Sequence, residues 1–224
     1  MKLICMGDST MQYNDETTFP QVGWPQALEG KLNKDVCLMN FAKNGRSTKT
    51  FMNEGRFEDA LRFTDKDSIV LIEFGHNDEH DYDPKTYTAP DKEYPQNLDY
   101  MVKECKKKGA YVLLCTPIYR RQFLEDGTLD PKCHALYREA MIEVAKQNEI
   151  PYVDFTSLTR EKIEKTGVEE SREYFMNFDA NIYPIYPEGK KDNTHLRMKG
   201  AQMVADLFYE SVKDDPEFKE YFNV

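Results

Sequence analysis

The sequence predicts a three-layer α/β/α sandwich built on a five-stranded parallel sheet in the order 2-1-3-4-5. Three observations predict it. Five short apolar runs, Leu3 to Met6, Val36 to Phe41, Ser68 to Phe74, Ala110 to Cys115 and Ile150 to Phe155, have the length of strands. Segments of helical spacing lie between them, which is the pattern of a parallel sheet covered on both faces. The third run is β-branched and almost unbroken, as in a strand buried on both sides. Right-handed crossovers then favour the order 2-1-3-4-5, in one domain spanning residues 1–224.

The intervening elements follow in order. Val22 to about Leu32 reads as a short helix, with Pro25 suited to its first turn. Ala42-Lys43-Asn44-Gly45-Arg46-Ser47-Thr48 is rich in turn residues. A helix is expected over Glu58 to Phe63, and another over Asn97 to Lys108 capped by Gly109. The segment Glu79 to Gln96 is too long and polar for a tight connection. Pro131 to Glu149 reads as an amphipathic helix containing His134, and Leu158 to about Phe175 as a further helix. Asn177 to Lys191 is aromatic and broken by prolines. Asp192 to His195 forms a loop before a final helix from Arg197 to about Val212.

Composition narrows the function. The formal charge of −10 argues against general nucleic-acid binding, which relies on basic surface. No apolar stretch approaches the roughly 20 residues of a membrane helix. The five cysteines contain no C-x-x-C, and Cys5, Cys37 and Cys115 are expected as small reduced core residues. No zinc spacing appears among Cys and His, so no metal is expected. Met1 leads straight into the first strand without a basic-then-apolar signal, and the expected location is cytoplasmic.

Chemistry enters at the strand ends, the ligand-binding edge of such a sheet. Gly7-Asp8-Ser9 closes the first strand, where a helix starting near Ser9 would aim free N–H groups at an anion. The same tripeptide is also an ordinary helix cap. Gly45, after the second strand, offers a bare backbone N–H to a reacting atom, or serves only as a turn glycine. Asn77, after the third, is either a turn residue or an amide donor to an oxyanion. Asp192-x-x-His195 supplies what a serine lacks: a base, and a carboxylate to hold it.

Together these blocks resemble the GDSL/SGNH hydrolase family: Gly7-Asp8-Ser9, Gly45, Gly75-x-Asn77-Asp78 and Asp192-x-x-His195, in the family's order across residues 7 to 195. Thr10 stands where many members carry leucine, a departure shared by polysaccharide-acting members. The resemblance implies Ser9 as nucleophile, His195 as general base and acid, and Asp192 as its orienting carboxylate. It implies an oxyanion hole from the N–H groups of Ser9 and Gly45 and the amide of Asn77, with no cofactor. Longer stretches resemble rhamnogalacturonan acetylesterases: Asn44 to Ser47, Glu73 to Asp78, Thr116 to Phe123 and Tyr186 to His195. The implied function is removal of O-acetyl groups from pectic, rhamnogalacturonan-type oligosaccharides. The expected partner is that acetylated oligosaccharide, with neither nucleic acid nor membrane, and the chain is expected as a monomer or weak homo-oligomer.

Galacturonate carboxylates call for arginine, whose planar fork matches them. Arg46, Arg120 and Arg121 sit at predicted strand ends and are candidate substrate contacts, the alternative for each being a surface salt bridge. His76 is a candidate for the acyl pocket, whereas His80 and His134 read as solvent or packing residues. Trp24 is either a core residue or a sugar-stacking wall. Glu73, a carboxylate in a buried strand, requires a partner, with an arginine the first candidate. Other readings are an acetyl xylan or other carbohydrate esterase, or an acyl-chain esterase or thioesterase, which needs a long apolar groove at Ser9. Outside catalysis stand a flavodoxin-like binding domain and a degenerate carbohydrate-binding domain. The first lacks a phosphate-cradling loop after strand one, and intact Ser9, Asp192 and His195 argue against the second.

Overall fold

The computed structural model describes residues 1–223. Five parallel strands, β1 (Lys2–Gly7), β2 (Cys37–Asn40), β3 (Ser68–Glu73), β4 (Tyr111–Cys115) and β5 (Tyr152–Val153), form one sheet in the order β2-β1-β3-β4-β5. The register places Gly7 beside Glu73 and Cys5 beside Asn40, so the carboxyl ends of β1, β2 and β3 share one edge.

Alternation along each strand builds two cores. Leu3, Cys5, Ile69, Leu71, Leu113 and Cys115 face one side, against α1 (Trp24–Leu28), α6 (Phe155–Thr166) and α7 (Met198–Val212). Ile4, Met6, Val70, Ile72, Val112 and Leu114 face the other. That side is covered by α2 (Thr48–Asn53), α3 (Arg56–Phe63), α4 (Glu93–Lys107) and α5 (Ala135–Gln147). Both layers of side chains exclude water, so the sheet edge above them is rigidly backed.

Several elements differ from expectation. No helix begins at Ser9; one turn, closed by Gln12 N–H donating to the Asp8 carbonyl at 3.1 Å, replaces it. The expected long helix to Phe175 stops at Thr166, because Gly167 adopts φ 87° and turns the chain. A separate antiparallel pair follows, β6 (Phe175–Phe178) and β7 (Lys190–Leu196), so Asp192 and His195 lie in a strand and not in a loop. Helix α2 went unpredicted although Ser47 and Thr50 cap its start reciprocally. Cys37 is exposed at the start of β2, contrary to its expected place in the core.

Candidate active site

Gly7 is where β1 must pass closest to its neighbours. A Cβ there would meet Met11 Sδ at 2.5 Å and the Glu73 carbonyl at 2.8 Å, so only glycine lets the strand turn into Asp8-Ser9-Thr10. Four further ties gather the loops at this edge. Lys43 N–H donates to the Gly7 carbonyl at 3.0 Å, and Trp24 N–H to the Thr10 carbonyl at 2.9 Å. Val22 N–H donates to the Leu196 carbonyl at 2.9 Å, and Arg121 N–H to the Asn193 carbonyl at 2.9 Å. The first, second and fourth loops of the sheet and strand β7 are thereby stapled together.

The Asp192–His195 half of the predicted constellation is formed. His195 Nδ1 lies 2.7 Å from Asp192 Oδ2, while Asp192 Oδ1 accepts the N–H groups of Thr194 and His195, each at 3.0 Å. Partial burial opposes ionisation of Asp192, but the His195 hydrogen bond, its charge and these two N–H groups outweigh it and hold the carboxyl far below the usual range. The hydrogen bond fixes the imidazole orientation and leaves Nε2 free to take a proton.

Ser9 is 5% exposed, at the end of β1. Its hydroxyl makes no hydrogen bond to His195 among the described residues; such bonds commonly tighten only with substrate in place. Burial raises the carboxyl of Asp8, the residue before Ser9, and His195 lies near enough to oppose that rise whenever its ring carries a proton. Gly45 takes the left-handed φ of 76°, with nothing within 4 Å of where a Cβ would stand, so its backbone is open to an approaching group. Asn77 Nδ2 donates to the Arg46 carbonyl at 3.1 Å, which ties the third strand end to the Gly45 turn. Gln12 Oε1 accepts Asn44 N–H at 2.7 Å and braces that turn from the Ser9 side. Sequence reasoning missed this glutamine, because nothing in its local pattern announces a contact 32 residues away.

The arginines divide. Arg46 Nε pairs with Glu54 at 2.9 Å and Nη1 donates to the Asn44 carbonyl at 2.8 Å, with the side chain 30% exposed beside Gly45. Arg120 is engaged by Glu79 and by the His76 carbonyl at 2.9 Å. Arg121 is buried, donating to Ser171 Oγ at 3.0 Å, to Asn193 Oδ1 at 3.1 Å and to the Val168 carbonyl. It grips the strand that carries Asp192 and His195.

His76 is buried edge-to-face against His134, ring centroids 4.4 Å apart, and does not stand open in a pocket. Burial, with the nearby charges of His134 and Arg120, keeps it neutral, far below its ordinary pKa. His134 is buried and ion-paired, 2.9 Å from Glu79; burial disfavours its charge, but neighbouring Cys133 and the hydrogen bond and charge of Glu79 raise it to about 9. Trp24 is fully buried against Phe155 and Phe208, which excludes the sugar-wall role. Glu73 has no arginine: its partners are Trp24 Nε1 at 2.6 Å and Thr10 Oγ1 at 2.7 Å. Asp78, also buried, accepts from Thr48 N–H at 3.0 Å, Thr48 Oγ1 at 2.6 Å and Thr88 Oγ1 at 2.7 Å, and so anchors the start of α2.

A serine turn, an oriented imidazole and the open Gly45 turn, gathered toward one sheet edge, suit the chemistry of an ester hydrolase. The GDSL-like lipase/acylhydrolase family matches residues 5–202, and the chain belongs to that family. It is similar to rhamnogalacturonan acetylesterase RhgT of Bacillus subtilis (strain 168), 33% identical over 216 residues, which are 96% of this chain and 90% of that protein. The probable rhamnogalacturonan acetylesterase YesY of the same strain is 32% identical over 209 residues, 93% of this chain and 90% of its own. Among solved structures, the Bacillus subtilis protein YxiM superposes with a TM-score of 0.79 at 24% identity, over 95% of this chain and 56% of that one. The acetyl xylan esterase AlAXEase superposes with a TM-score of 0.67 at 21% identity, over 95% of this chain and 100% of its own. These two likenesses establish a shared fold.

Proposed function

We propose that this enzyme is a carbohydrate O-acetylesterase whose substrates are pectic, rhamnogalacturonan-type oligosaccharides. The observation that carries the chemistry is the 2.7 Å Asp192–His195 hydrogen bond on the edge where the Ser9 turn ends. In this reading His195 Nε2 takes the Ser9 proton as Oγ attacks the acetyl carbonyl. Ionised Asp192 stabilises the imidazolium that forms. The N–H groups of Ser9 and Gly45 and the Asn77 amide receive the developing oxyanion, each such donor being worth roughly 10²–10³ in turnover. His195 then protonates the departing sugar alcohol, and a water repeats the cycle on the acetyl-enzyme.

The pectic assignment draws on the two relatives named as rhamnogalacturonan acetylesterases. Two features of the surface agree with it. Arg46 places a partly exposed guanidinium next to the Gly45 turn, where a galacturonate carboxylate would meet it. Phe19 and Tyr183, edge to face at 5.6 Å, wall a cleft of about 600 Å³ that also includes Arg197, two residues beyond His195. Aromatic walls of that kind suit sugar rings, whose C–H faces are apolar. The test is acetate release from acetylated rhamnogalacturonan and xylan oligosaccharides, with Ser9→Ala as control. Faster release from the pectic substrate supports the proposal; release from xylan alone replaces it with the acetyl xylan esterase reading.

A further inference from the structure

The Ser9 turn rests on two buried carboxyl groups that face each other across one hydroxyl. Thr10 Oγ1 lies 2.7 Å from Glu73 Oε1 and 3.0 Å from Asp8 Oδ1. All three residues are inaccessible to solvent. A threonine hydroxyl has one hydrogen, so it can donate to one of these oxygens only. The second contact is a hydrogen bond only if a carboxyl carries a proton and donates it back to Thr10. Two bare carboxylates sharing one donor in a dry site would be costly.

The surroundings decide which carboxyl holds the proton. Asp8 Oδ1 already accepts Thr10 N–H at 3.0 Å, and Asp8 Oδ2 has no partner to which it could donate. Burial pushes the Asp8 carboxyl up, but the Thr10 N–H and hydroxyl and the charge of ion-paired His134 oppose that rise, and Glu73 has no such cation. Glu73 faces no cation: its second oxygen accepts Trp24 Nε1–H, and Ile118 N–H completes its contacts. We propose that Glu73 is a positioning residue of the nucleophile turn, which holds a proton at neutral pH and donates it to Thr10 Oγ1, so that Thr10 donates in turn to ionised Asp8. The hydrogen bonds then run in one direction, from Glu73 through Thr10 to the accepting Asp8, and Asp8 and Thr10 clamp Ser9 between them.

The titratable groups facing Glu73 are Asp8, Cys5 from β1, Cys115 from β4 and Tyr94 from α4. Burial pushes both thiols and the phenol upward, so Asp8 is the one charged neighbour. Burial first, then the charge of Asp8, pushes Glu73 up to about 8. Loss of its proton leaves one hydroxyl hydrogen between two carboxylates, and the turn loses its fixed geometry. The inference rests on the proposed role of Ser9, and its test separates the two.

Trp24 is the sole tryptophan and donates directly to Glu73, so its emission reports the charge of that carboxyl without any turnover. The titration is run in an inactive Ser9→Ala background from about pH 6, already above the ordinary carboxyl range, to about pH 9.5. Emission is expected to change with a midpoint near 8, and Glu73→Gln, whose amide keeps both contacts without a charge, abolishes the change. In the active enzyme, Glu73→Gln keeps kcat at neutral pH within about threefold and lacks the alkaline fall seen with Glu73. A flat emission titration with Glu73 present, a transition that survives Glu73→Gln, or a folded Glu73→Gln enzyme inactive at neutral pH overturns the inference. If Glu73→Gln does not fold, Asp8→Asn must lower the emission midpoint by removing the like charge; an unmoved midpoint overturns the inference. A Ser9→Ala enzyme that still hydrolyses ester refutes the role of Ser9, while the emission titration continues to judge Glu73.

Discussion

Replacing Arg121 by alanine separates holding the site from touching the substrate. The guanidinium donates to Ser171 Oγ, Asn193 Oδ1 and the Val168 carbonyl. None of these acceptors is stranded by its loss. Ser171 Oγ still donates to the Val168 carbonyl at 3.3 Å, and Asn193 Oδ1 keeps the Asn177 amide at 2.6 Å. The cost is therefore near the ordinary net value of about 1 kcal/mol for each bond, or about 3 kcal/mol in all. For a chain of this size that is a fall in Tm of roughly 6–12 °C. Asn193 adjoins Asp192, so the strand carrying the Asp192–His195 pair loosens with it. A displacement near 1 Å costs about 10²-fold in rate. Thermal melts and hydrolysis of a neutral aryl acetate read both effects, with kcat expected to fall and KM to hold. Lysine should not rescue, because a point charge cannot reproduce the planar fork. A Tm within about 2 °C of the parent would refute the bracing role, since that shift corresponds to less than 1 kcal/mol. A loss confined to acidic oligosaccharides would instead make Arg121 a substrate contact.

Other consequences are equally direct. Arg46→Ala should weaken action on acidic acetylated oligosaccharides more than on the aryl acetate, measured as kcat/KM on each; equal losses would remove Arg46 from substrate recognition. Phe19→Ala should raise KM for oligosaccharides by roughly tenfold, about 1.4 kcal/mol, with the aryl acetate unaffected. An unchanged oligosaccharide KM would take the cleft out of the binding path. The folded pKa of His134 is raised to about 9, so its stabilising contribution is complete below its unfolded value near 6.5 and is lost as pH rises through 9. Tm should therefore decline between those values, and His134→Gln should flatten that part of the curve. A curve of the same slope in both proteins would contradict the ion pair with Glu79.

The sheet was legible because its code is local. Apolar runs of strand length separated by helical spacing gave all five strands in order, and β3, continuous and β-branched, was the plainest. The pair β6–β7 was not legible. Lys190-Lys191-Asp192-Asn193-Thr194-His195 is polar throughout, and its strand form comes from pairing with β6 and from the grip of Arg121, neither of which leaves a periodic trace. The Asp192–His195 contact was readable from spacing alone, because residues three apart need only one turn or bend to meet. The partners of Glu73 were not. That strand position announced a carboxylate in need of company, but the partners, Thr10 and Trp24, come from sites 63 and 49 residues away. The arginines mark the same limit: sequence placed them at strand ends, and only tertiary packing separates partly exposed Arg46 from buried Arg121.

The most direct measurement is covalent trapping with a serine-directed phosphonate ester, followed by peptide mass spectrometry. One phosphonyl adduct on Ser9 is expected, formed in step with loss of esterase activity, absent in Ser9→Ala and slowed by His195→Ala. An adduct on another residue, or full activity in Ser9→Ala, would contradict it.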